Sequence, residues 1–79
     1  MKIILFGDSC PSCKTTIKNI TEAAAQLDPT IEIEESEDLI KMVRLNVFQT
    51  PAVVINDKVV AQGKRLSFDD ALAIIQQNR

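Results

Sequence analysis

The sequence contains no His, Trp or Tyr and only three Phe among its 79 residues. Without His, catalysis by an imidazole base and metal ligation by imidazole are excluded within this chain. The few aromatic rings offer little stacking surface for bases, and a net charge of −2 provides no basic stripe for phosphates. We therefore expect no nucleic-acid partner. Only two cysteines are present, and they are the most informative residues of the chain.

A long apolar run is also missing near the start of the chain. After Met1 and Lys2, only residues 3–6 are continuously apolar before Gly7, which is too short for the apolar region of a signal peptide or for a membrane span. We therefore expect a cytoplasmic protein without a membrane partner. In a reducing compartment, a cysteine pair is more often catalytic or metal-binding than a permanent structural bridge.

Residues 1–79 are expected to form a single α/β domain, since 46% of them are apolar and can build a core. Apolar periodicity and turn signals predict the order β-α-β-α-β-β-α. Strands are predicted at residues 2–6, 31–34, 52–55 and 58–61. The first helix is predicted to begin at Pro11 and to end at Asp28-Pro29, and its buried stripe comprises Cys13, Ile17, Ile20, Ala24 and Leu27.

The second helix is predicted over residues 35–46, with Ser36 as its N-cap. Its spacing predicts that Leu39, Ile40 and Val43 face inward. Asn56-Asp57 has the composition of a two-residue hairpin turn between the last two strands.

The last helix is predicted to begin after Ser67, and Asp70 completes a variant of the capping box. Its predicted buried face comprises Phe68, Ala71, Leu72 and Ile75.

The motif Cys10-Pro11-Ser12-Cys13 lies between the first strand and the first helix. Proline is favoured at the first helical position, which makes Cys10 the N-cap and Cys13 the third helical residue. An N-cap side chain faces free N–H groups at the positive end of the helix dipole, so Cys10 should favour the thiolate. Cys13 lies on the buried stripe, about 5–6 Å from Cys10 between Cβ atoms, close enough to form a disulfide. We interpret Cys10 as the nucleophile and Cys13 as the resolving thiol of disulfide exchange.

Other interpretations of the two cysteines remain. They could bind a metal, because two thiolates suit Cu(I), whereas structural zinc would need further ligands from a dimer or from carboxylates. They could also form the switch of a non-enzymatic redox sensor, or be structural and inert. The same two cysteines serve a catalyst and a sensor, so sequence alone does not distinguish them. Multiple turnovers with a reductase would identify a catalyst.

The sequence resembles the thioredoxin superfamily, in particular its small, minimal thioredoxin-like or glutaredoxin-like redox-active disulfide proteins. The resemblance is carried by the runs Cys10-Pro11-Ser12-Cys13-Lys14 and Thr50-Pro51-Ala52-Val53-Val54-Ile55, and by Gly63. It implies a minimal thioredoxin fold, with a four-stranded mixed sheet of order 2-1-3-4 and helices on both faces. It also implies a thiol–disulfide oxidoreductase that needs no cofactor or metal, acts on protein disulfides and is reduced by a partner such as thioredoxin reductase.

The resemblance further implies roles for the residues around the cysteines. Thr50-Pro51 should be joined by a cis peptide bond that faces the cysteines, with the Thr50 backbone offered to an extended substrate; the alternative is a proline that merely begins a strand. Pro11, Ser12 and Lys14 would support the thiolate, although a lysine on a helix surface is commonly just solvated.

Two departures from the family pattern affect the expected chemistry. Ile4 stands where thioredoxins carry a buried carboxylate, so their usual proton acceptor is missing. Ser12 stands where glutaredoxins have Tyr, and Gln62-Gly63 offers a single glycine. We therefore expect inefficient use of glutathione.

Overall fold

The computed structural model is an α/β fold built on a four-stranded mixed sheet. It describes residues 1–7 and 11–78, and only the backbone of Ser12. The strands are β1 (Lys2–Phe6), β2 (Glu32–Ser36), β3 (Ala52–Ile55) and β4 (Lys58–Gln62). The helices are α1 (Pro11–Leu27), α2 (Leu39–Arg44) and α3 (Phe68–Gln77). The predicted element order is confirmed.

The sheet has the strand order β2-β1-β3-β4. Strand β1 pairs in parallel with β2 and antiparallel with β3, and β3 pairs antiparallel with β4. The predicted order 2-1-3-4 is therefore confirmed. Residues 3–6 of β1 are all buried, as a continuous apolar run predicts for a central strand that is covered on both faces.

The two faces of the sheet carry separate cores, because successive side chains of a strand point to opposite faces. Ile3 and Leu5 belong to the larger core, which α1 and α3 cover with residues such as Ile20 and Ile75. Ile4 and Phe6 belong to a smaller core on the other face. That core also contains Val47, Ala52 and Val54, and the partly buried Met42, Leu45 and Val59 pack against it.

Helix α1 buries the stripe that its sequence predicts. Of the five stripe residues, three are buried and two are half-buried, and Thr16 and Ala23 are buried beside them. The helix ends at the predicted place, where the Thr30 N–H and hydroxyl both donate to the Asp28 carboxylate, at 2.9 and 2.7 Å.

The predicted bounds of the second helix are wrong, and so is its predicted N-cap. Strand β2 continues to Ser36, which pairs with Phe6, so α2 begins only at Leu39. Asp38 is the N-cap, and its carboxylate accepts the N–H groups of Ile40 and Lys41 at 3.0 and 3.4 Å. A carboxylate at the cap suits the positive end of a helix, which explains why Asp38 takes this position.

The predicted inward face of α2 is wrong as well. Leu39, Ile40 and Val43 are 72%, 67% and 67% exposed. The helix is turned the other way: Met42 packs against the smaller core, and Lys41 forms a surface ion pair with Glu34 of β2. Contacts with other segments of the chain therefore decide the orientation of this six-residue helix.

The hairpin turn between β3 and β4 and the N-terminus of α3 both form as the sequence predicts. Asn56 and Asp57 have φ angles of 50° and 67°, as the predicted two-residue hairpin requires. At α3, the Asp70 N–H donates to the Ser67 hydroxyl at 3.1 Å and the Ser67 N–H donates to the Asp70 carboxylate at 3.3 Å, which confirms the capping box. On the predicted face of α3, two residues are buried and two pack against the larger core while partly exposed.

Within the ranges 1–7 and 11–78, no helix combines the length and the apolar character that crossing a membrane requires.

Candidate active site

Cys13 is the anchor of the candidate site. It is the third residue of α1, it is fully buried, and it is disulfide-bonded. Pro11 is the first residue of the helix, as predicted, and its side chain is exposed. Cys10, the predicted nucleophile and N-cap, lies outside the described residues, as does the side chain of Ser12. The roles assigned to them remain predictions.

Gly7 passes directly against the buried cysteine. A Cβ atom at this position would lie 3.0 Å from Cys13 Cβ, 3.5 Å from Cys13 Sγ and 3.3 Å from Ile17 Cδ1. The chain leaving β1 can approach α1 this closely only because Gly7 has no side chain. The sequence analysis does not predict this contact, although a glycine between a strand and a cysteine motif is a usable signal.

The Thr50–Pro51 peptide bond is cis, and Pro51 is buried immediately before β3. The Pro51 carbonyl accepts the Gly63 N–H at 3.0 Å. Gly63 has a φ of +69°, and a Cβ there would lie 1.9 Å from Gln49 Oε1. The backbone conformation therefore favours glycine at this position, whereas the Gln49 amide is the end of a flexible, exposed side chain that can move aside.

The segment before Pro51 is also held from the end of β4. Gln62 Oε1 accepts the N–H groups of Phe48 and Gln49 at 2.8 and 3.2 Å. A side chain thereby supplies the acceptor for two backbone donors of a non-regular segment. No local pattern predicts this contact, because Gln62 lies 14 residues from Phe48 and 13 residues from Gln49.

A cleft of about 380 Å³ connects Gly7, which lies against Cys13, with the segment that precedes Pro51. Its wall is formed by Gly7, Glu37, Leu39, Met42, Phe48 and Thr50. Thr50 thus lies on the same cleft as the backbone that touches Cys13. Phe48 is 75% exposed, so the cleft has an apolar rim.

A second cleft of about 670 Å³ lies along the first half of α1. It shares Gly7 and Glu37 with the first cleft, and Lys14, Ile17, Lys18, Glu35 and Ser36 complete its lining. Lys14 is exposed on α1, so its ammonium group is solvated beside this cleft. Glu37 is the carboxylate common to both clefts.

Helix α1 also fixes the loop between β4 and α3. The buried Thr16 hydroxyl accepts the Leu66 N–H at 3.2 Å, and the Asn19 amide donates to the Leu66 carbonyl at 2.8 Å. Both backbone groups of Leu66 are therefore satisfied by side chains of the helix that begins with the cysteine motif. This clamp was not predicted.

Glu34 of β2 forms surface ion pairs with Lys2 of β1 and Lys41 of α2. Hydrogen bonds from Lys41, which has the larger effect, and from Lys2 hold the pKa of the Glu34 carboxyl below its ordinary value of 4.5.

Among the described residues, no group of three or more Cys, Asp and Glu side chains is placed to hold a metal ion.

Comparison with known proteins places this arrangement in a family. A family model described as a thioredoxin domain matches residues 1–76. The chain belongs to the thioredoxin superfamily. A curated thioredoxin from Methanocaldococcus jannaschii is 34% identical over 68 residues, which cover 86% of this chain and 78% of that protein.

Two solved structures share the thioredoxin-like fold. Thioredoxin 1 from Thermosipho africanus superposes with a TM-score of 0.70 at 24% identity, over 98% of this chain and 92% of that one. A structure described as that of a malarial protein superposes with a TM-score of 0.69 at 18% identity, over 98% and 94% of the two chains. The family supports thiol–disulfide oxidoreductase activity in general terms, and these two likenesses support the fold.

Proposed function

We propose that this thioredoxin-like protein is a dithiol–disulfide oxidoreductase that acts on protein disulfides through Cys10 and Cys13. The observation that carries the proposal is Cys13 itself: it is disulfide-bonded and fully buried in the first turn of α1, in a chain of the thioredoxin superfamily. Burial suits a resolving thiol, because it keeps that sulfur from reacting with clients directly.

The proposed reaction has two exchange steps. The Cys10 thiolate attacks one sulfur of the client disulfide, which forms a mixed disulfide and releases the first client sulfur as a thiolate. The Cys13 thiolate then attacks the Cys10 sulfur, which forms the internal disulfide and releases the second client thiol. The client gains two electrons and two protons, and the protein loses them.

A reductase regenerates the dithiol by supplying two electrons. A thioredoxin reductase is the first candidate for this partner. We propose that the protein acts in the cytoplasm. The backbone of Thr50, on the cleft beside Gly7, would pair with an extended client segment. Glutathione is expected to be a poor reductant here. Neither a cofactor nor a metal is required for the proposed exchange.

The test uses Cys10→Ser and Cys13→Ser as a matched pair. With a disulfide-bonded test protein and a reductase, Cys10→Ser should lower the rate to the uncatalysed background, because the nucleophile is gone. Cys13→Ser should also lose turnover, but it should accumulate a mixed disulfide through Cys10 that mass spectrometry detects. Retained turnover in Cys10→Ser would contradict the proposal, and a single turnover without recycling in the unmodified protein would favour a redox sensor.

A further inference from the structure

Strand β4 forms an open edge of the sheet, and a groove of about 550 Å³ runs between this edge and α3. Val60 and Ala61 of β4 and Ile74 of α3 line the groove, and all three are only partly buried. We call it the β4–α3 groove. Among the described residues, none that lines it also lines the clefts beside Gly7. The groove is therefore a second surface, separate from the candidate active site.

The backbone of β4 offers hydrogen-bonding groups to this groove. In an antiparallel pair, residues that bond across the ladder alternate with residues whose N–H and C=O point away from the partner strand. Lys58 closes the two-residue hairpin, so Val59, the next residue, is of the second kind. The Gly63 N–H donates to the Pro51 carbonyl, so Gln62, the residue before Gly63, is also of the second kind. Val59 and Gln62 both line the groove, which therefore presents backbone donors and acceptors for an added strand.

Basic side chains lie at both ends of β4. Lys64 and Arg65 line the groove just beyond the end of the strand, and Lys58 is its first residue. All three are exposed, and within the described part of the chain none of them forms an ion pair. Asp70, a carboxylate of the groove, accepts the Ser67 N–H of its own helix cap. The unpaired cations therefore favour an acidic occupant.

Two features of β4 disfavour a second copy of this chain as the occupant. Antiparallel pairing of two β4 strands would bring Lys58 of one copy towards Lys64 and Arg65 of the other, and like charges repel. The pairing of β4 with β3 also passes over Val60, and such an irregularity interrupts the flat edge that sheet-to-sheet association needs. The edge is thus suited to a short segment of another protein.

We propose that the β4–α3 groove binds a short extended segment of a partner protein, which adds to β4 as a strand. The segment carries apolar side chains in its middle, to cover Val60, Ala61 and Ile74, and acidic residues at both ends. Binding there leaves the clefts beside Gly7 open, so the partner can be held while disulfide exchange proceeds. The inference is independent of the proposed function, because no residue of the groove takes part in the exchange.

The test measures the binding of a blocked, fluorescein-labelled peptide by fluorescence anisotropy. The peptide carries valines in its middle and glutamates at both ends. In a second peptide lysines replace the glutamates, and binding should weaken about 10-fold because the charges now repel. In a third peptide the valine amides are N-methylated, which removes backbone donors and keeps the side chains. This peptide should also bind about 10-fold more weakly, because strand addition depends on those donors.

Two matched pairs of variants locate the site. Arg65→Glu and Arg44→Glu both reverse one exposed charge, but only the first lies in the groove. Arg65→Glu should raise the Kd of the glutamate peptide about 3- to 10-fold, and Arg44→Glu should change it by less than about 2-fold. Ala73→Trp fills the groove and should raise the Kd more than about 10-fold, whereas Ala25→Trp, on the exposed side of α1, should leave it unchanged. Circular dichroism verifies that each variant is folded.

Amide hydrogen exchange shows where the peptide lies, since the N–H groups of Val59 and Gln62 should exchange more slowly when it is bound. Three results would each overturn the proposal: no binding of the glutamate peptide, equal binding of the N-methylated peptide, or equal affinities of Arg65→Glu and Arg44→Glu. Sedimentation of the unmodified protein as a dimer that Ala73→Trp disperses would overturn it in favour of a second copy of this chain. Cys10→Ser should bind the peptide as tightly as the unmodified protein, so the groove is tested separately from the proposed function.

Discussion

Thr16→Val tests the clamp between α1 and the loop before α3. Valine has nearly the shape of threonine and the same branching at Cβ, so the substitution removes the hydroxyl with little change in packing or helix propensity. The hydroxyl accepts the buried Leu66 N–H, which then has no acceptor. An unsatisfied buried donor costs about 1–3 kcal/mol of unfolding free energy. For a chain of this size, Tm should fall by about 4–8 °C for each kcal/mol.

The assay is urea denaturation of the oxidised protein, followed by circular dichroism, with Thr21→Val as the matched control. Thr21 lies on the exposed side of the same helix, where its hydroxyl donates to the Ile17 carbonyl. Its replacement should change the unfolding free energy by less than about 0.5 kcal/mol. If Thr16→Val is as stable as Thr21→Val, the Leu66 N–H does not depend on Thr16 and the reasoning is refuted.

Two further predictions concern close packing and charge. Gly7→Ala should lower the unfolding free energy by about 1–3 kcal/mol in urea denaturation, because the new methyl would lie 3.0 Å from Cys13 Cβ; an unchanged midpoint would contradict the close approach. The pKa of Glu34 is lowered by Lys41 and Lys2, so its stabilising effect is present above pH 4.5 and disappears as the pH falls through the folded-state value. The small difference in unfolding free energy between the unmodified protein and Glu34→Gln should therefore shrink below that pH, and a difference independent of pH would contradict the ion pair.

The sequence predicts an element well where one local pattern allows a single solution. Residues 3–6 of β1 are apolar without interruption, which suits only a strand covered on both faces. Helix α1 is 17 residues long, which is enough for the periodicity of its apolar residues to fix the buried face. The cap at Ser67 and the turn at Asn56-Asp57 depend on neighbouring residues alone, so they too were predicted correctly.

Helix α2 shows why the remainder was not predictable. Its six residues give too short a window for a buried face to be assigned by periodicity. The contacts that orient it join Met42 to the smaller core and Lys41 to Glu34 on a neighbouring strand, and both partners lie outside the helix. At the site, the cysteine motif and Thr50-Pro51 were recognised from local sequence. The contacts from Thr16 to Leu66 and from Gln62 to Phe48 were not, because they join residues 50 and 14 positions apart.

The contacts beside Cys13 and the exposed side chains of α2 differ in how much stability a substitution would cost. The segments around Cys13 are tied together by the close approach of Gly7 and by the buried hydrogen bond of Thr16. A change at any of these positions costs stability, because it either adds an atom where none fits or leaves a buried donor unpaired. Ile40 and Val43 contribute no buried area to either core, so their replacement should cost little stability. The fold therefore tolerates substitutions on the outward face of α2 that it does not tolerate beside Cys13, because only the latter positions are closely packed or hold a buried hydrogen bond.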